Sequence, residues 1–345
     1  WFLGGSPNAG WFGYANITEK PFNMGHGMDF YVVGLLVLGT ASMAAGFNFL
    51  VTIINMRAPG MTFMRMPLVI WSLFIVAILL LLALPVLTSA LALLLFDRMA
   101  GTSFFSPAGG GEPLLWQHLF WFLAHPEVYV LILPAMGIVA EIVATNTRKP
   151  LWGYKALVGS LVFLGFMSFV VWAHHMFMTG MGTTMSSFFQ TTTMIISIPS
   201  VVILSALFIS LYGGSIRFPV PMLFALAFLP MFGIGGLTGL PLGLSAPDLH
   251  FHDTYYVIGH FHYVVAPGTI LALFAGIYHW YPKATGRVSP YRVKGRRSSR
   301  PSPNSLRAGS MARLRRSGTT SSTKLRGRGA TSAHSPGGAS ATLKA

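Results

Sequence analysis

Seven apolar stretches constrain this chain more than any other feature. They lie near 29–55, 66–95, 114–144, 152–175, 183–212, 219–241 and 254–281. Each is long enough to cross a hydrocarbon core of roughly 30 Å, which takes about 20 helical residues. Lipid offers no hydrogen bonds, so every backbone N–H and C=O in such a run must be satisfied by protein, and at these lengths a helix is the solution. The sequence therefore predicts an all-α fold, a polytopic transmembrane helix bundle. Composition agrees: 53% of residues are hydrophobic and 9% charged, against roughly 25% charged in soluble domains. Glycine and proline inside the runs are tolerated in membrane helices.

The net charge of +15 is unevenly placed. Residues 1–282 hold eight bases and all eight acids, and the other fifteen bases lie from Lys283 onward with no acid among them. Within the membrane part, Arg57, Arg65, Arg148, Lys149, Lys155 and Arg217 fall in connections on one side, and the opposite connections hold only Arg98. The positive-inside rule places the first set in the cytoplasm or its mitochondrial equivalent. This divides the chain into a membrane domain, 1–287, and a basic tail, 288–345, rich in Ser, Gly and Arg. A tail of that composition, without hydrophobic periodicity, is expected to be disordered, as a solvated segment or a translation out of the natural frame. No nucleic-acid partner is expected. The chain opens on Trp1 without an initiator Met, and is expected to be a fragment.

One run carries groups that lipid does not welcome. "LFWFLAHPEVYVLILP", 119–134, places His125, Glu127 and Tyr129 in the third span. Ionisable groups there are costly and mark function by default. His125 lies roughly 15 Å below the outer edge at 1.5 Å per residue. His174 and His175 close the fourth span at its outer end, and His260 and His262 enter with the seventh, roughly 10 Å down. Five histidines from three spans thus share the outer half of the membrane.

Helix geometry sorts them. His260 and His262 are about 200° apart around a regular helix, so each can serve a different partner. His174 and His175, about 100° apart, can reach one ion together with His125. Three neutral imidazoles with an open position suit copper or zinc. The chain has no cysteine, which excludes thiolate sites and covalent c-type haem attachment within it. His125 and Tyr129, at i and i+4, share a face. Glu127 faces elsewhere. In hydrocarbon its neutral form is favoured, which suits a proton relay; the plain alternative is a cap on backbone freed by Pro126.

These residues stand in motifs that resemble subunit I of haem–copper terminal oxidases. "QHLFWFLAHPEVYVLILPAMG", "VWAHHMF", "MIISIPS", "GGLTG" and "HDTYYVIGHFHYVV" carry the likeness, and "NFLVTIINMRAPGM", "PAGGGEP" and "YPKATGR" extend it over 29–287. The resemblance implies a catalytic subunit that reduces O2 to water with electrons from cytochrome c, coupled to proton uptake and pumping. It implies two haems, of a type, and a copper ion called CuB held by His125, His174 and His175. His260 would be the proximal ligand of the high-spin haem and His262 a ligand of the low-spin haem. Tyr129 would be cross-linked to His125 and supply an electron and a proton. Glu127 would pass protons from the cytoplasmic side toward the haem–copper site or the pumping route. His252 and Asp253 would help hold magnesium or manganese at the interface with subunit II, and subunits II and III would be partners. The location would be a bacterial or mitochondrial inner membrane.

The sequence also departs from the family pattern. Ile203 stands where the family usually has a lysine of a second proton path; the Thr and Ser residues of "QTTTMIIS" and Ser200 are the polar groups nearby. About seven spans of a normally twelve-helix subunit are present, without the early helices that carry the other low-spin haem histidine or the last two helices. The chain alone is therefore expected to be an incomplete, inactive piece. Two other readings remain: a proton or metal transporter without redox chemistry, against which the opposed His260 and His262 argue, and a quinol-oxidising member of the same family.

Overall fold

A computed structural model describes residues 5–287. The tail reading, 288–345, lies outside the described residues. The described residues form nine α-helices: α1 (Gly27–Asn55), α2 (Leu68–Ala100), α3 (Pro113–Thr147), α4 (Tyr154–Ser168), α5 (Gly182–Leu211), α6 (Val220–Leu242), α7 (Ser245–Phe251), α8 (Tyr255–Val264) and α9 (Ala266–Thr285). Among the described residues there is no strand. Seven segments are long and apolar enough to cross a membrane; the fourth continues from α4 through a 3-10 segment to Thr179, and the seventh joins α8 to α9. All seven expected runs are thus helical, with ends displaced by a few residues.

Local chemistry sets those ends. α3 starts where the Glu112 side chain accepts from Leu114 N at 3.0 Å and Pro113 needs no partner for a missing N–H. α2 runs beyond its apolar stretch because its last polar residues are paired. The Asp97 carboxylate accepts from Phe104 N and Phe105 N, both at 2.9 Å, and Gly101 closes the helix in the left-handed region at φ 71°.

α3 is the centre of the bundle. Leu133, Val139, Ile142 and Val143 on it are wholly buried against α2, α4, α5, α6 and α9. Gly137 permits the α2 contact: a Cβ there would lie 2.6 Å from Val69 Cα. Small residues of this kind let membrane helices approach closely. Outward positions are apolar too, with Val37, Phe166 and Leu237 each about two-thirds exposed. Such a surface suits lipid and not water.

A second core closes the outer end, where residues 5–26 fold over α1, α2 and α3. Phe12 and Trp11 pack on Phe120 and Trp121. The clamp is Arg98. Its Nε donates to Asp29 Oδ1, Nη1 to Thr18 O, and Nη2 to Asn23 O at 3.2 Å and Gly25 O at 3.1 Å. Its residue is 2% exposed. Arg98 is therefore no free loop charge; it ties α1, α2 and the N-terminal segment together.

Removing one partner of a buried ion pair costs about 3–5 kcal/mol, because the other charge is left uncompensated. In the assembled protein, Arg98→Leu is expected to lower the melting temperature and open residues 5–26 to protease, with Arg98→Lys recovering only part of the loss. Limited proteolysis with mass mapping checks this; wild-type resistance in Arg98→Leu would contradict it.

Candidate metal centre

The third and fourth spans meet at three imidazoles. His125 projects from α3 and is 6% exposed. α4 ends at Ser168, and the chain then tightens into the 3-10 segment Trp172–Thr179, interrupted at Met176 and closed by Gly180 at φ 80°. His174 and His175 ride on this segment, not on a regular helix end as expected. Consecutive side chains on a 3-10 turn are about 120° apart. Both rings still converge on His125. The His125 and His174 ring centroids are 4.6 Å apart, and those of His174 and His175 4.2 Å apart. His125 Nδ1 lies 3.1 Å from His175 Nε2. One nitrogen from each ring falls within 4.8 Å of the other two.

Neighbouring groups hold the rings. His174 Nδ1 pairs with Thr193 Oγ1 of α5 at 3.0 Å. Trp121 stacks on His175 with centroids 3.9 Å apart and planes 9° apart. Trp121 Nε1 in turn donates to Tyr14 Oη at 2.8 Å. Burial pushes the Tyr14 hydroxyl up to about 12, against the opposing effect of the Trp121 hydrogen bond, so it stays neutral. His125 Nε2 is buried with no hydrogen-bond partner among the described residues. The ring nitrogen that meets the neighbouring imidazole is the other one, Nδ1, and three rings converging in this way offer the donor set a metal ion would take.

Tyr129 lies one turn along α3, its ring centroid 5.0 Å from that of His125. Glu127 is exposed on α3. It is not a backbone cap: α3 runs unbroken through Pro126 and Pro134, and Glu127 makes no hydrogen bond among the described residues. Ile203 is 1% exposed within the apolar core. Of the hydroxyls near it in sequence, Thr191 and Ser197 bond carbonyls of their own helix, and Thr193 faces His174.

His260 and His262 part as helix geometry predicts, although α8 is only a short helix that ends at Val264. His260 Nδ1 donates to Gly235 O of α6 at 2.8 Å, and Thr238 Oγ1 lies 3.3 Å away. A carbonyl can only accept, so this bond places the proton on Nδ1 and leaves Nε2 with a lone pair. Gly239 makes room for the ring, since a Cβ there would come within 2.7 Å of His260 Cε1. His262 is exposed, and its Nδ1 donates to Ile258 O at 2.8 Å. It too keeps a free Nε2.

His252 and Asp253 follow α7 outside the spans. His252 Nε2 is 3.8 Å from Asp253 Oδ1, and Nδ1 is 3.3 Å from Asp248 Oδ2. The second contact is an ion pair without the alignment of a hydrogen bond, and the Asp248 carboxylate raises the His252 pKa against the opposing effect of burial. Among the described residues, only His125, His174 and His175 form a group of three close ligands. Sequence reasoning missed Thr193, Trp121, Tyr14 and Asp248. Their roles come from contacts between elements, and only the unusual "QTTT" run inside a span hinted at one of them.

Comparison with known proteins bears on this geometry. Residues 1–298 match the family described as cytochrome c and quinol oxidase polypeptide I. The chain is 48% identical over 288 residues to cytochrome c oxidase subunit 1 of Bacillus subtilis, covering 84% of this chain and 46% of that protein. It is 49% identical over 291 residues to quinol oxidase subunit 1 of the same organism, covering 84% and 45%. Against cytochrome c oxidase subunit 1 of Cereibacter sphaeroides the identity is 45% over 281 residues, covering 81% and 49%. The chain spans about half the length of these relatives. With a match across the whole membrane part, the chain belongs to the cytochrome c and quinol oxidase polypeptide I family.

Proposed function

We propose that this chain carries the oxygen-reducing centre of a haem–copper terminal oxidase that takes electrons from cytochrome c and couples their use to proton uptake and pumping. The observation that carries this reading is the convergence of His125, His174 and His175, with one nitrogen of each ring within 4.8 Å of the other two. The chain is an integral, multi-pass membrane protein of a family that binds haem and copper. The proposed roles are those that the likeness to the family implies, and the geometry of the site is compatible with them. His125, His174 and His175 hold the copper. His260 holds the high-spin haem and His262 the low-spin haem, both of a type. Haem and copper, when bound, supply the electron transfer that splits O2.

The side chains prepare that chemistry. Hydrogen bonds at Nδ1 fix His260 and His262 with Nε2 as the ligating atom. Thr193 and the Trp121 stack hold His174 and His175 so that the triad need not reorganise. Tyr129 stands beside His125, where a link between the two rings would cost two electrons and two protons, taken up by O2 as oxidant, and its phenol would supply an electron and a proton. Glu127, with no hydrogen-bond partner among the described residues, is free to take up and release a proton. His252 and Asp253 offer two ligands to magnesium or manganese. A hard cation takes about six, so water and the partner subunit II would supply the rest. Subunit III is the second proposed partner. A quinol donor is the alternative, supported by the equal identity to a quinol oxidase subunit; "HDTYY" favours cytochrome c. Oxidation of reduced cytochrome c against that of a quinol by the purified oxidase separates the two.

In that oxidase, His174→Ala is expected to remove the copper and abolish oxygen reduction while leaving the low-spin haem, whose proposed ligand is on α8. Metal analysis beside reduced-minus-oxidised spectra checks this; full copper with normal turnover would overturn the assignment. Glu127→Gln keeps the shape and cannot release a proton. Turnover is expected to fall on the order of a hundredfold, the scale of a lost proton-transfer group, with haem content unchanged. Wild-type turnover and pumping would show that Glu127 is no relay.

A further inference from the structure

The inner ends of four spans meet at two short loops, 148–153 between α3 and α4 and 212–219 between α5 and α6. The loops are joined by backbone bonds: Ser215 N donates to Thr147 O at 3.1 Å, and Arg217 N to Asn146 O at 2.9 Å. Gly214 makes the approach possible, since a Cβ there would lie 2.9 Å from Thr147 Cβ.

This junction gathers positive charge. Arg148 adopts the left-handed conformation at φ 60°, uncommon for a residue with a side chain, and its Nε reaches Ser215 O at 3.3 Å. Its Nη2 also bonds Ser215 Oγ, and Lys149 Nζ bonds Tyr212 O. The Arg217 guanidinium makes no hydrogen bond among the described residues and is exposed. Every partner of Arg148 and Lys149 here is neutral, and none of the three bases forms an ion pair among the described residues. Residues 146–155 and 209–219 contain no acid. Trp152, Tyr212 and Phe218 are 52%, 85% and 57% exposed around the bases, as aromatic residues at a membrane interface are.

We infer that this junction is a binding site for an anionic phospholipid, with Arg148, Lys149 and Arg217 on the headgroup phosphate and the acyl chains against the adjoining spans. The observations favour a lipid over a soluble anion. The bases lie at the ends of membrane helices, on the leaflet side that is rich in anionic lipid, and are ringed by interfacial aromatic side chains. The site is separate from the metal centre, which lies in the outer half of the bundle.

The test uses the intact purified oxidase containing this chain, titrated with phosphatidylglycerol and phosphatidylcholine and read by native mass spectrometry. Phosphatidylglycerol should bind with preference, and Arg217→Gln should weaken it about fivefold, the effect of one base near a membrane surface. Arg148→Gln should do the same; if that variant fails to assemble, Arg217→Gln, with no bond to lose among the described residues, carries the test. Arg65→Gln removes a charge from the same side of the membrane but outside the junction, and should leave binding unchanged. Equal loss in Arg65→Gln would mean diffuse attraction and would overturn a local site. So would undiminished binding in Arg217→Gln, or displacement of the lipid by inorganic phosphate at equal concentration.

Discussion

A polar group carried into hydrocarbon must find its partner inside the protein, and this chain is organised around that requirement. Arg98 meets it with one carboxylate and three carbonyls. Glu141 of α3 meets it by accepting from Leu68 N at 2.8 Å, at the first turn of α2. His260 and His262 meet it through Nδ1, each with a carbonyl. His125 Nε2 stands apart as a buried ring nitrogen in the triad with nothing to bond. His260 and His262 keep Nε2 free as well, and histidine nitrogens left unspent in such a bundle mark where ligands would belong.

The same requirement links the outer cap to the triad. Arg98 holds the carbonyls of residues 18, 23 and 25, and so fixes the segment that carries Tyr14. Tyr14 accepts from Trp121, and Trp121 covers His175. Trp116 Nε1 adds a second tie by donating to Phe12 O at 3.0 Å. A continuous run of contacts thereby leads from a charge on the last turn of α2 to an imidazole on another span. The contacts are packed and hydrogen-bonded throughout, so the triad is held by rigid neighbours, as a preorganised metal site requires.

The spans were legible because lipid forces one solution on a long apolar run, and all seven lie where hydropathy puts them. The gathering of His125, His174 and His175 was legible from depth alone, once loop charges had set which end of each span is outer. The opposition of His260 and His262 followed from a two-residue spacing. What sequence concealed was local irregularity and contact between distant elements. The change from α4 to a 3-10 segment before His174 leaves no hydropathy signal, because "VVWAHHMFM" reads equally well as a helix end. Arg98 looked like a loop base because its partners come from residues 18–29, remote in sequence. Asp248 lacks any motif of its own, and the "QTTT" run around Thr193 does not say that it faces a histidine; only folding brings the two to their partners.

The proposed copper site rests on three imidazoles, one from α3 and two from the 3-10 segment. X-ray absorption at the copper edge of the intact oxidase, with signals from copper elsewhere in the complex subtracted, tests it most directly. A copper ion with imidazole nitrogens as its protein ligands is expected, three in the wild type and lost with His125→Ala. A copper with sulfur ligation, or one whose imidazole signature survives loss of His125, would contradict it.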